Sequence, residues 1–525
     1  MALSAPRLTA PRWPRGSAGL AAAMLVGLPA AAVVAQAIFG GGAGADAAGQ
    51  KLLIESALGL VALLLLGGGV AVAIGAAAAW AVSFCAFPGR RAFEWLLVLP
   101  LAAPAYVLAY AWGGLAGPAG VMPFTLSGTS AAAFVYALAF YPYVYLAARA
   151  SFATQSVCAL EAARSLGASP WASFWRVALP LARPGLIAGG ALALMEIAAD
   201  YGAAAYFGAP TLATGVFHAW YARGEPQLAL QLASVLLIAA ALLFAVERAA
   251  RGQRRYGGGS ARWRPLPRYV LAPGAAWAVA ALLAVVLLCA LILPFGYLVR
   301  LTVLNGVDLA ALAAPLAASV TLASAGAGVT LLLGLALAHA GQRGGGLGRA
   351  ALAIAGAGYA APGAVIALGM LSLFALAREA GLAASLTGGA AIAVLIWTYA
   401  ARFAAAGAQP IAAGLQRLTR SMDSAAATLG ANARRRFWAI SLPIAAPSVA
   451  AAALILFVEI LRELPATMIL RPFNMDTLAV KAHAYAVDDR LAQAAPFALL
   501  IALAGLAPIL ILSARIGASR PGAAE

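Results

Sequence analysis

The chain has 525 residues, of which 64% are hydrophobic and 10% charged, and a formal net charge of +17. Soluble domains carry roughly 25% charged and 45–50% apolar residues, and apolar runs of about 20 residues match the thickness of a bilayer core. A soluble enzyme or a nucleic-acid-binding protein is therefore excluded, and the composition predicts an all-α polytopic membrane protein. The lysines are Lys51 and Lys481; the rest of the 34 basic residues are arginine. Their excess reads as membrane topology.

In chain order, Arg7, Arg12 and Arg15 precede an apolar stretch over 19–39 that ends near Val34-Ala35-Gln36-Ala37. This stretch is longer than a secretory signal core and reads as a retained first helix. Further spans are predicted near 56–86, 93–116, 131–150, 184–206 and 226–246, then near 270–298, 315–340, 350–375, 386–408, 447–467 and 494–514. Between the two sets, 251–268 is rich in Arg around Gly257-Gly258-Gly259 and reads as a cytoplasmic linker. Twelve spans with both termini in the cytoplasm give a roughly threefold excess of basic residues on the cytoplasmic side, as the positive-inside rule requires.

The two sets repeat one another. ALEAARSLGASPWASFWRVALPLARPG (159–185) aligns without gaps on MDSAAATLGANARRRFWAISLPIAAPS (422–448), 263 residues later, with 11 identities in 27 positions. At that offset Glu196 meets Glu459, Asp200 meets Glu463 and Thr214 meets Thr477, and LAAPAYVLAY (101–110) resembles YAAPGAVIAL (359–368) at a shorter one. The chain reads as a tandem duplication of 1–250 and 269–525. Six spans per copy place both copies in one orientation, related by an axis along the membrane normal.

The repeated segment resembles the EAA loop of ABC-importer permeases. The first copy carries Glu161-Ala162-Ala163, Gly167, Val177, Leu179 and Pro180; the second carries Ser424 in place of Glu, then Ala425, Ala426, Gly430, Ile440, Leu442 and Pro443, with Asp423 as a neighbouring carboxylate. Gly167 and Gly430 suit a left-handed turn after a short helix, and Pro180 and Pro443 are expected to stop the next short helix. The resemblance implies a type I importer fold in which each hairpin docks one of two copies of a cytoplasmic P-loop ATPase. No P-loop is present in the chain itself, since Lys51 follows Gln50 and Lys481 follows Val480. The chain is thus read as a transport subunit without catalytic residues or cofactors, in the bacterial inner membrane.

Residues 196–224 and 463–495 are similar to the corresponding regions of fused ferric-iron permeases, which a periplasmic ferric-binding protein supplies; thiamine permeases share the fused plan. Glu196 and Asp200, like Glu459 and Glu463, are four residues apart and are expected to share a helix face. Ionisable groups inside a membrane face a bundle interior or an aqueous path. Three readings stand: the carboxylates line the pathway, Arg462 neutralises some of them structurally, or they contact Fe3+ transiently. His218, His339 and His483 read as pore or packing residues, and Tyr141, Tyr143 and Tyr145 as packing or interfacial aromatics. Asp488-Asp489-Arg490 reads as a periplasmic loop. An ion-coupled secondary transporter and a passive channel are the rivals from other classes; neither accounts for two EAA loops in register.

Overall fold

The computed structural model describes residues 17–39, 46–117, 120–153, 165–167, 169–253, 268–343, 345–381, 388–418 and 420–518. Glu161, Ala162, Ala163, Cys158 and 254–267 of the linker lie outside them.

The first half contains α1 (Ser17–Phe39), α2 (Ala47–Phe84), α3 (Arg90–Ala102), α4 (Ala105–Leu115), α5 (Gly128–Ala153), α6 (Phe174–Ala199), α7 (Gly202–Phe207), α8 (Leu212–Phe217) and α9 (Pro226–Gln253). The second contains α10 (Pro273–Asn305), α11 (Leu309–Arg343), α12 (Gly345–Ala360), α13 (Gly363–Glu379), α14 (Gly388–Leu415), α15 (Arg420–Thr428), α16 (Arg434–Leu461), α17 (Pro465–Leu470), α18 (Leu478–Val487) and α19 (Leu491–Ala518). Among the described residues ten helices are long and apolar enough to cross a membrane, and the count reaches twelve if each of the bent pairs α3–α4 and α12–α13 is one span.

Those two pairs fall where single spans are predicted, near 93–116 and 350–375, and they bend by 93° and 109°. The cause is Pro104 and Pro362. Each forces its predecessor out of helical geometry, and Ala103 is extended at φ −100, ψ 133. The other repeated prolines act differently from expectation. Pro180 and Pro443 do not end a helix: α6 and α16 run through them, each preceded by one wide π-helical turn, Phe174–Ala178 and Phe437–Ser441. A wider turn accommodates the missing proline N–H and the ring without breaking the rod.

Within each half the long helices pack on one another: α5 and α6 on α2, and α14 and α16 on α11. The leading helices cross over. α1 lies on α11, α12 and α13 of the second half as well as on α9, and α10 lies on α3 and α4 of the first half as well as on α19. The Trp397 indole donates to the Leu25 carbonyl (3.0 Å) and that of Trp112 to the Cys289 carbonyl (3.1 Å), one bond for each crossing. A Cβ on Gly369 would stand 2.0 Å from the Pro29 carbonyl oxygen, so α1 and α13 meet backbone to backbone. A two-residue parallel bridge, Cys85–Ala86 with Tyr269–Val270, ties the end of α2 to the entry of the second half.

Candidate functional site

Between the halves lies a cavity with about 670 Å3 of empty space. Its walls come from the bend after α3, from α5 and α14, and from the ends of α6 and α16. All four carboxylates singled out in the sequence line it: Glu196, Asp200, Glu459 and Glu463. Arg402, Arg462, Tyr106 and Tyr143 line it with them. A smaller chamber continues from it past Glu196, Arg402, Glu459 and Tyr359.

The paired carboxylates do not share a helix face. α6 ends at Ala199, and Asp200 is extended (ψ 132); α16 ends at Leu461, with Arg462 capping it and Glu463 beyond. Each of Asp200 and Glu463 turns onto the next short helix. Asp200 Oδ1 accepts the Ala203 N–H (2.9 Å) and the Tyr136 hydroxyl (2.8 Å). Glu463 Oε1 accepts the Ala466 N–H (3.1 Å), and its Oε2 accepts from Arg402 Nη1 (2.5 Å). These carboxylates therefore hold α7 and α17 by their first turns, satisfying amides that the helix break leaves without partners.

Arg462 donates to both oxygens of Glu459, Nη2 to Oε1 at 2.5 Å and Nε to Oε2 at 3.2 Å, and its Nη1 reaches the Leu101 carbonyl (3.3 Å) at the bend of the first half. The Tyr106 hydroxyl returns a bond to the Arg462 carbonyl (3.1 Å). The two arginines are thus each paired with a glutamate, Arg462 in the two-point geometry to which guanidinium is suited and Arg402 through Nη1. Beside the cavity, Tyr106 packs on Tyr110, whose hydroxyl lies 2.7 Å from His483 Nδ1.

The repeated hairpins share a second geometry. Gly167 and Gly430 take φ of +79 and +81, and an added Cβ would meet nothing within 4 Å, so conformation rather than space selects glycine there. In the second hairpin α15 closes with Gly430 N–H on the Ala427 carbonyl (3.0 Å) and Ala431 N–H on the Ala426 carbonyl (3.0 Å). Ser424 and Ala425 are exposed and Ala426 is buried; the side chain of Asp423 lies outside the described residues. Asn432 then accepts the Arg435 N–H (2.8 Å), as Ser169 accepts that of Ala172 (3.2 Å). Both turns push a leucine outward. Leu166 and Leu429 are each 87% exposed, and Trp175 and Trp438 are exposed behind them.

Residues 69–255 match the family described as the binding-protein-dependent transport system inner membrane component. The chain is 24% identical over 453 residues to the Fe(3+)-transport system permease protein FbpB 2 of Haemophilus influenzae, covering 84% of this chain and 86% of that one. The family match thus lies in the first half of the chain, and the likeness to a named permease extends over most of its length. Over shorter stretches it is similar to the molybdenum transport system permease protein ModB of Escherichia coli (30% over 146 residues, 25% of this chain and 60% of that one) and to a probable molybdenum ABC transporter permease of Haloferax volcanii (34% over 138 residues, 26% and 51%).

The spans are those of a multi-pass membrane protein, and the family matched over 69–255 is one of transport components. Sequence reasoning missed Arg402 and the tyrosines of its cavity. An arginine midway along α14, a span with few other charges, was the available signal. Tyr143 faces the cavity, Tyr145 donates to the Glu94 carbonyl (3.0 Å) and Tyr141 is buried. His339 packs edge-on against Phe437. Among the described residues no three of His, Cys, Asp and Glu are grouped so as to hold a metal ion.

Proposed function

We propose that the permease imports ferric iron through the central cavity, and that residues 159–185 and 422–448 dock two copies of a separate P-loop ATPase whose closure drives alternating access. The observation that carries the substrate is the charge of the cavity: four carboxylates face two guanidinium groups. Both guanidiniums are taken by glutamates, so among the described lining residues an oxyanion such as molybdate finds no free cation and meets Glu196 and Asp200, neither of them salt-bridged, instead. A hard cation fits an oxygen-rich wall. The carboxylates are spread along the cavity rather than drawn into a cage, which suits a path that must release its cargo. The relative that matches most of this chain's length is named for Fe(3+) transport, which agrees.

The coupling reading is supported by the exposed leucines. Leu166 and Leu429 are repeat-related, stand at the tips of matching left-handed turns, and are each 87% exposed among the described residues. A large apolar side chain held out on a rigid turn suits a groove in a soluble partner. We read 1–250 and 269–525 as the two permease copies joined by the linker 251–268, with both termini in the cytoplasm and a periplasmic ferric-binding protein docking on the opposite face.

The test is reconstitution in liposomes with the ATPase and the binding protein. Ferric-loaded binding protein should stimulate ATP turnover and iron entry, and molybdate- or thiamine-loaded homologues should not. Stimulation by molybdate alone would defeat the cation reading; iron flux without nucleotide would defeat the coupling.

A further inference from the structure

The cavity is lined by both repeats, but its charge is not shared between them. Position by position, at the offset of 263, Arg402 stands where the first repeat has Ala139, and Arg462 where it has Ala199. Tyr136 and Tyr399 are likewise equivalent, yet Tyr136 bonds Asp200 whereas Tyr399 bonds Thr467 (2.7 Å). Room for the extra guanidinium is built in. A Cβ on Gly363 would lie 2.3 Å from both Arg402 Nη1 and Glu463 Oε1, and at the matching bend the first repeat has Ala105.

The consequence is two unlike walls. On the second-repeat wall Glu459 and Glu463 each hold a guanidinium at 2.5 Å. On the first-repeat wall Asp200 is held by a phenol and backbone amides, with no guanidinium bonded to it among the described residues. The Glu196 carboxylate makes no hydrogen bond or ion pair among the described residues, and the half-buried side chain lines the cavity. A carboxylate drawn partly out of water and left without a hydrogen-bonded partner favours a counter-ion.

We infer that Arg402 and Arg462 are tethered counter-cations that reserve the second-repeat carboxylates for structure, so that the cargo cation travels along the first-repeat wall, on Glu196 and Asp200. This rests on the cation reading above and assigns its contacts. A guanidinium already seated on Glu459 or Glu463 repels an incoming cation and blocks the oxygens it would need, whereas Arg402 and Arg462 act on Glu196 only through space and leave its oxygens open. Arg402 and Arg462 are specificity-determining through this exclusion, not through contact with the cargo.

The experiment compares E196Q with the charge-neutral pairs E459Q/R462Q and R402Q/E463Q in the full assembly with ATPase and binding protein, using co-purified ATPase and basal turnover as controls for assembly. Two readouts are taken: iron entry, and luminescence of terbium(III), a hard trivalent probe excited through nearby tyrosines such as Tyr143. Loss of an ionised contact to a cation should lower iron entry by about tenfold or more in E196Q and remove the terbium signal, whereas removing a buried pair as a pair should cost about threefold or less and leave the signal. Equal losses on both walls, or losses confined to the paired variants, would overturn the inference. If the wild-type assembly imports no iron while the terbium signal follows Glu196, the ferric reading fails and the one-sided path stands.

Discussion

The two repeats build the same break with different chemistry. After α6 the carboxylate that holds the next helix is steadied by the Tyr136 hydroxyl; after α16 it is steadied by the Arg402 guanidinium. The backbone was kept through the duplication, since α7 and α17 are both six residues long and both follow an interrupted helix. What diverged is charge, and with it the amount of energy each repeat commits to holding its wall in place.

Three substitutions probe that difference, and thermal unfolding of the purified chain in detergent reads them. Arg402→Ala leaves Glu463 buried without its cation and should cost about 3–5 kcal/mol, with the double variant R402Q/E463Q recovering most of it. Gly363→Ala forces a methyl against the Arg402–Glu463 pair and should cost about 1–3 kcal/mol, a loss that vanishes when the pair is absent. Tyr136→Phe removes one neutral donor from Asp200 and should cost about 0.5–1.5 kcal/mol. An inverted order, with Tyr136→Phe the most damaging, would mean that the first repeat, not the second, carries the stiffer wall.

Much of this arrangement was legible in the sequence. The gapless repeat and the long apolar spans follow from residue identity and spacing alone, because hydropathy and charge act locally, and the four carboxylates singled out by that spacing all line the cavity. The break at Asp200 was not legible. Ala198-Ala199-Asp200-Tyr201 contains neither Pro nor Gly, and the helix ends there because a buried carboxylate finds better partners in Tyr136 and Ala203 than in a continued turn. Pro180 and Pro443 misled in the opposite direction, since the π-helical turns before them absorb what would otherwise be an end.

The pairing of Thr214 with Thr477 is also displaced. The residue that caps α18 is Thr477, but the one that caps α8 is Thr211, because the connection 471–477 is longer than its counterpart 208–211. The added length carries Arg471 paired with Asp476, Asn474 in a left-handed conformation, and a fully exposed Phe473. A constant offset reads through helices and fails at the loops between them.

The crossing of α1 and α10 has a consequence for the chain as an object. Each half lends its leading helix to the other, so the halves are interlocked by a reciprocal embrace rather than merely strung together by 254–267. Nicking the polypeptide there would leave two fragments that each lack an outer stave and find it on the other. The covalent tether then fixes stoichiometry, one of each half per molecule, and so preserves the unequal walls that two free copies of either half could not reproduce.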